Sequence, residues 1–189
     1  MSDPLGNVIA AIDAANAADP NTEDGRPAAL LYGERMTSQL SRLFPDASEV
    51  LQIAARGQHI ERWLLPRADY PKTRPGYFAW RKEQGRRHGE RLAGLMADAG
   101  YCDADQARVA TLLRKEGIKR DPEVQALEDV ICFTFLTWYF SPFAADKTAE
   151  GLQRIVDRTA LKMSAQGRAR VLQEFDLPKP LAAAFRTDG

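Results

Sequence analysis

Asp121-Pro122-Glu123-Val124-Gln125-Ala126-Leu127-Glu128-Asp129-Val130-Ile131-Cys132-Phe133-Thr134-Phe135-Leu136-Thr137-Trp138-Tyr139-Phe140 begins like a helix and ends in a long apolar run. Aspartate accepts hydrogen bonds from the unpaired amides of a first turn, and proline tolerates the first helical position. From Val124 the pattern is amphipathic; from Val130 to Phe140 it is apolar on all sides. A helix of that kind is normally covered on every face. The stretch therefore predicts a central helix over about 122–140, with an all-α, single irregular multi-helix domain packed around it.

On either side the chain keeps helical periodicity, and strand-like alternation is hard to find. Residues 4–17 read as a weak first helix, followed by a turn-rich segment, Ala18 to Arg26. Pro27 suits a helix start, with Tyr32, Met36, Leu40 and Leu43 as an inward stripe. Asp46 with Glu49 resembles a capping box for a third helix that runs to Leu65 and stops at Pro66. Residues 66–75 carry three prolines and cannot be regular helix. Further helices are expected from Tyr77 to Ala99, Asp103 to Gly117, Thr148 to Met163 and Ser164 to Phe175. The expected organisation is an N-terminal helix and turn-rich arm over 1–26, a helical core domain over 27–177 and a flexible tail over 178–189.

Composition narrows the function classes. A chain of 189 residues with 44% hydrophobic residues fits one folded domain. Lysine plus arginine equals aspartate plus glutamate, 26 against 26, which disfavours nucleic acid as the main partner. Two cysteines, Cys102 and Cys132, make neither a disulfide framework nor a thiolate metal site. The N-terminus lacks the basic start and apolar stretch of a secretion signal, and the run Val130–Phe140 is about half of what a bilayer requires. A cytoplasmic protein with no membrane contact is expected.

Only two histidines occur, His59 and His88. Leu51, Ala55, His59 and Trp63 follow at four-residue steps, and His88, Leu92, Leu95, Met96 and Ala99 share one helical face. Both imidazoles are thus expected to point inward. Glu128 and Asp129 stand where their helix turns apolar, and buried carboxylates are costly unless paired or bound to a cation. Histidine with carboxylate suits zinc, manganese or iron. Arg62 and Arg81 share or adjoin the faces of the histidines, and a guanidinium fork matches phosphate or carboxylate oxygens. Between Pro66 and Arg91 eight basic residues face three acidic ones, interleaved with Tyr70, Tyr77, Phe78 and Trp80. An anion site there rests mainly on Arg74 and Arg81. The alternative is structural: histidines paired to Glu128 and Asp129, those carboxylates salt-bridged to Arg62 or Arg81, and Arg86 and Arg87 a solvated helix face.

Several ordered blocks carry a resemblance: Leu31-Tyr32-Gly33-Glu34-Arg35-Met36, Gln58-His59-Ile60-Glu61-Arg62-Trp63, Gly76-Tyr77-Phe78-Ala79-Trp80-Arg81, Leu127-Glu128-Asp129-Val130 and Lys162-Met163-Ser164. Over about residues 5–175 the chain resembles an uncharacterised helical family catalogued only as a domain of unknown function, DUF4202. That resemblance implies a helical protein and brings no reaction with it. A looser similarity is to the HD superfamily of helical metal-dependent phosphohydrolases, in which a histidine, a His-Asp doublet and a later aspartate bind metal. It implies His59, His88 and Asp129 as metal ligands. Gly89 stands where the doublet has aspartate, so either Glu128 or Glu116 substitutes or the metal is absent.

Two functions follow as expectations. The first is a metal-dependent, HD-like hydrolase acting on a small phosphorylated or anionic substrate. Its ligands would be His59, His88 and Asp129, with Glu128 a ligand or general base and Arg62 and Arg81 anion clamps. The second is a non-catalytic helical module that binds an anionic ligand or a partner protein.

Overall fold

The computed structural model describes residues 3–186. The chain is all-α, as expected: ten α-helices and one two-stranded hairpin among the described residues. It divides into two compact units, Met1–Glu116 and Gly117–Gly189.

The first unit contains α1 (Pro4–Asn16), β1 (Thr22–Glu23), β2 (Arg26–Pro27), α2 (Ala28–Leu43), α3 (Glu49–Arg56), α4 (Arg74–Asp98) and α5 (Asp103–Arg114). The strands pair antiparallel, Thr22 opposite Pro27 and Glu23 opposite Arg26, across a turn in which Asp24 and Gly25 both have positive φ (52° and 73°). Arg26 grips Glu34 with two bonds of 2.7 Å, and Arg35 pairs with Glu23, so the hairpin is fastened to α2 from both strands.

The N-terminal segment, expected as an arm, packs within this unit. Val8, Ile12 and Asn16 of α1 are buried, and Arg56 holds Asp13 through two bonds of 2.6 Å. Helices α4 and α5 approach closely because glycines face the partner backbone. A Cβ at Gly85 would lie 3.0 Å from the Leu113 carbonyl, and one at Gly89 would lie 3.0 Å from the Ala110 Cα.

Helix α3 ends nine residues before the expected stop at Leu65. Gly57 forms its C-cap and accommodates Leu92, which a Cβ there would meet at 2.4 Å. The chain then turns through residues 57–65, with Glu61 in the left-handed region at φ 51°. Asn16, fully buried, fixes this bend by accepting from the Glu61 amide at 3.1 Å. The start of α3 is also displaced from the expected Asp46: Ser48 is the N-cap and accepts from the Leu51 amide at 3.1 Å.

The second unit contains α6 (Pro122–Thr134), a π-helical turn over Phe135–Tyr139, α7 (Phe140–Ala144), α8 (Ala149–Lys162), α9 (Ala165–Glu174) and α10 (Lys179–Ala184). Asp121 caps α6 as expected, accepting from the Glu123 and Val124 amides at 3.0 and 3.2 Å. Nine of the 13 residues of α6 are buried, Glu128 and Asp129 among them. The stretch from 178, expected as a flexible tail, forms α10 and buries Leu181, Ala182 and Phe185. Thr187, Asp188 and Gly189 lie outside the described residues. No helix among the described residues is long and apolar enough to cross a membrane.

Candidate functional site

The turn after α3 and the inner face of α4 meet in the first unit and bring the two histidines together. The ring of His59 stacks on Tyr32 of α2, with centroids 3.8 Å apart and planes 13° from parallel. The ring of His88 lies 6.5 Å from that of His59. His88 is buried and His59 half-buried. His59 reaches this place from an irregular turn and not from the helical stripe expected of it, because α3 has already ended at Arg56.

Both imidazoles are held neutral. Burial lowers His88 to about 3, with Arg62 and Arg87 adding repulsion and a bond to the Gln58 backbone acting the other way. His59 falls well below its ordinary value, first through burial and then through Arg62, His88, Lys115 and Arg81. The Nε2 of His88 is buried without a hydrogen-bond partner. Since its other nitrogen serves the Gln58 backbone as donor, Nε2 carries the lone pair. A buried acceptor left without a donor costs about 1–3 kcal/mol, which makes it a position for a ligand group.

Arg62 borders the histidines. Its guanidinium lies 4.6 Å from the centre of the Trp80 ring and is half-buried. Burial lowers its pKa, the nearby tyrosines Tyr32 and Tyr77 oppose that, and Arg81 adds to it. Trp80 is locked by its own N–H, which donates to the Leu65 carbonyl at 3.0 Å, while Gln84 donates to the carbonyls of Arg62 and Leu65 at 3.0 and 3.1 Å. Two residues of α4 thus satisfy the turn that presents Arg62. Arg81 is exposed and bonds the Tyr77 hydroxyl at 3.2 Å, and Arg74 lies 5.6 Å over Phe78.

Many arginines of this unit are engaged by acids, whereas Arg42 bonds the Gln39 amide oxygen and Arg67 the Tyr70 and Pro71 carbonyls. Arg26, Arg35, Arg56, Arg86, Arg91 and Arg114 each pair with a carboxylate. Arg62, Arg74 and Arg81 are engaged by aromatic rings and a phenol, with no carboxylate partner among the described residues.

The acidic residues expected near the histidines belong to the second unit, each with partners there. Asp129 accepts from the Ser164 amide at 2.8 Å, the Ser164 hydroxyl at 2.5 Å and the Gln125 side chain at 3.1 Å. Ser164 in turn caps α9, accepting from the Gly167 amide at 2.9 Å. Burial raises the pKa of Asp129, while the Ser164 and Gln125 bonds and then Lys119 pull it back. A Cβ at Gly167 would meet the Asp129 carboxylate at 2.9 Å, so glycine is what admits this carboxylate to the helix end. Glu128 is buried, with the Lys162 ammonium 3.9 Å away. No group of three or more His, Cys, Asp or Glu able to hold a metal occurs among the described residues.

A match to the family described as Domain of unknown function (DUF4202) spans residues 6–184. The chain belongs to that family. No curated protein and no solved structure matches it. Within this DUF4202 protein the sequence pattern missed Gln84 and Asn16 as parts of the site, gave Tyr32 only as part of an inward stripe, and named Trp80 only among the aromatic residues interleaved with the basic run. Tyr32 reads as an inward helix position, and nothing in its spacing announces a histidine lying on its face. The expectation of aspartate after His88 also has a steric answer: Gly89 packs on the Ala110 backbone, where a longer side chain has no room.

Proposed function

We propose that the Met1–Glu116 unit is a receptor for a small phosphorylated or otherwise anionic molecule, bound beside His59 and His88 by Arg62 with Arg81. The observation that carries this reading is Arg62: a half-buried guanidinium stacked on Trp80, with no carboxylate partner among the described residues. Removing a cation from water without a counter-ion is costly, and a ligand oxyanion would offset that cost. The two neutral imidazoles add hydrogen-bonding capacity without adding charge. Tyr32 and Trp80 supply rigid walls.

Titration with inorganic pyrophosphate, followed by calorimetry and backbone amide shifts, tests it. The expected result is saturable binding that perturbs residues 57–65 and the first half of α4, weakened about tenfold or more by Arg62→Met, which removes a charge-assisted bond. No saturable binding, or binding indifferent to Arg62→Met, overturns it.

A second reading, metal-dependent HD-like hydrolysis, draws support from one observation: the buried lone pair of His88 Nε2 with a second imidazole nearby. The donors present fit zinc, manganese or iron in part. Two imidazoles fall short of the three protein ligands of a catalytic zinc site, and Asp129 is committed to capping α9. Metal analysis after exposure to each ion decides it. Retention of less than about one-tenth of an equivalent removes this reading, since a resident catalytic metal binds stoichiometrically.

A further inference from the structure

The second unit carries a cavity of about 340 Å³, lined by Gln153, Asp157, Ala160 and Leu161 of α8, Arg168 of α9, and Pro180, Ala183 and Ala184 of α10. That volume lies at the small end of ligand-binding clefts. Its lining is a wall of small and branched apolar side chains with one cation and one anion set into it.

Arg168 makes this cavity more than a surface dent. It is 7% exposed, yet the hydrogen bond that its guanidinium makes among the described residues is a single one, Nη1 to the Met163 carbonyl at 3.2 Å. A guanidinium has five N–H donors in a fixed fork, and none of Arg168's is sealed from solvent without a partner, so those left over stay open to a ligand. Asp157, exposed on the same lining, is engaged by another group: it accepts from the Gln153 side-chain amide at 2.8 Å. A nearly buried fork with spare donors, set against an apolar wall, is the receptor half of a carboxylate site.

We infer that this cavity binds a small monocarboxylate bearing a short hydrocarbon body, its acid group on Arg168 and its chain along Ala160, Leu161, Pro180 and Ala183. One cation favours one negative charge, and Asp157 on the same lining repels a dianion such as a phosphate monoester. The site is independent of the arginine–histidine site in the first unit, which has no part in its lining.

Hexanoate is the probe, with hexan-1-ol and 2-aminohexanoate as its neutral and zwitterionic counterparts, followed by amide shifts of the full chain. Hexanoate is expected to bind saturably with a dissociation constant on the order of 1 mM, as its few non-hydrogen atoms allow. Shifts should concentrate in residues 153–168 and 180–184. Hexan-1-ol should bind at least about tenfold more weakly, the difference a charge-assisted pair makes. Tighter binding of 2-aminohexanoate than of hexanoate would support the site and add Asp157 as the ammonium acceptor. Arg168→Met should abolish the preference for the acid. Because Arg168 also braces the Met163 carbonyl, Ala183→Trp, which fills the groove from an exposed position, serves as a second variant and should block hexanoate without unfolding the chain. Equal binding of alcohol and acid, shifts elsewhere, or hexanoate binding that survives Ala183→Trp would overturn the inference.

Discussion

His59 lies flat against Tyr32, ring on ring at 3.8 Å, although the two residues come from an irregular turn and a helix with α3 between them in sequence. The stack fixes where the imidazole sits, and the turn that delivers it depends on Asn16 through the Glu61 amide. Asn16→Ala should therefore act at a distance. It leaves the Glu61 amide without its acceptor and is expected to destabilise the protein by about 1–3 kcal/mol. Amide exchange across residues 57–65 should accelerate, and the His59 ring resonances should lose the upfield shift that a stacked tyrosine imposes. Unchanged His59 shifts in a folded Asn16→Ala variant would contradict this coupling.

The neutral histidines give the protein a defined acid sensitivity. A histidine whose folded pKa lies below its unfolded value of about 6.5 binds a proton in the unfolded state first, so its protonation favours unfolding. For His88, with a folded value of about 3, stability should be constant above about pH 6.5 and decline between there and about pH 3. The slope approaches about 1.4 kcal/mol per pH unit for this one group. Urea unfolding at pH 7 and pH 5 should show the decline in the wild type, and His88→Leu should reduce it by one histidine's share. A pH dependence identical in the two proteins would refute the assignment.

Much of the helical frame could be read from residue order, because caps and periodicity are local. Asp121-Pro122 specified the start of α6 correctly, but the apolar run beyond it is not one helix covered on every face: α6 ends at Thr134, Thr137 is exposed, and Phe135, Trp138, Tyr139 and Phe140 are only half-buried. His59 and His88 do come within 6.5 Å of each other, but His59 arrives from an irregular turn and not from the helical stripe its spacing suggested. Other features depended on partners far away in sequence. The stripe Leu51, Ala55, His59, Trp63 continues at helical spacing past Gly57, yet α3 ends with that glycine as its C-cap, a position where Leu92 leaves no room for a side chain. The buried Asp129 looked like a ligand in search of a cation, but the Ser164 N–H and O–H that satisfy it lie 35 residues downstream. Periodicity indicates that a side chain faces inward; it does not say what meets it there.

Asp129 provides the corresponding stability test. Asp129→Ala removes the acceptor of three hydrogen bonds at the start of α9 and leaves the Ser164 hydroxyl and amide to find others. The loss should be about 2–4 kcal/mol by denaturant titration, with Asp129→Asn intermediate because one oxygen remains. A loss below about 0.5 kcal/mol, the range of ordinary surface substitutions, would show that the capping role is overstated.

Gly89→Asp would create in this sequence the histidine–aspartate doublet found in HD phosphohydrolases. In this fold the new side chain meets the Ala110 backbone at 3.0 Å, between two helices packed through glycine. The expected outcome is a loss of about 2–4 kcal/mol through crowding and a buried charge, with Gly89→Ala milder. A Gly89→Asp variant as stable as the parent would show that α4 and α5 can separate at no cost.

The π-helical turn at Phe135–Tyr139 carries a consequence for length variation. Such a turn holds one residue more than the surrounding helix, and each residue advances a helix by about 100°. Side chains after Tyr139 are therefore rotated by roughly that angle from where an unbroken α6 would have aimed them. Excising a single residue between 135 and 139 would let the spiral close as ordinary α-helix and leave the ring of Phe140 on the azimuth it already holds. DUF4202 chains one residue apart in length at this point would look misaligned on paper while presenting equivalent faces in three dimensions.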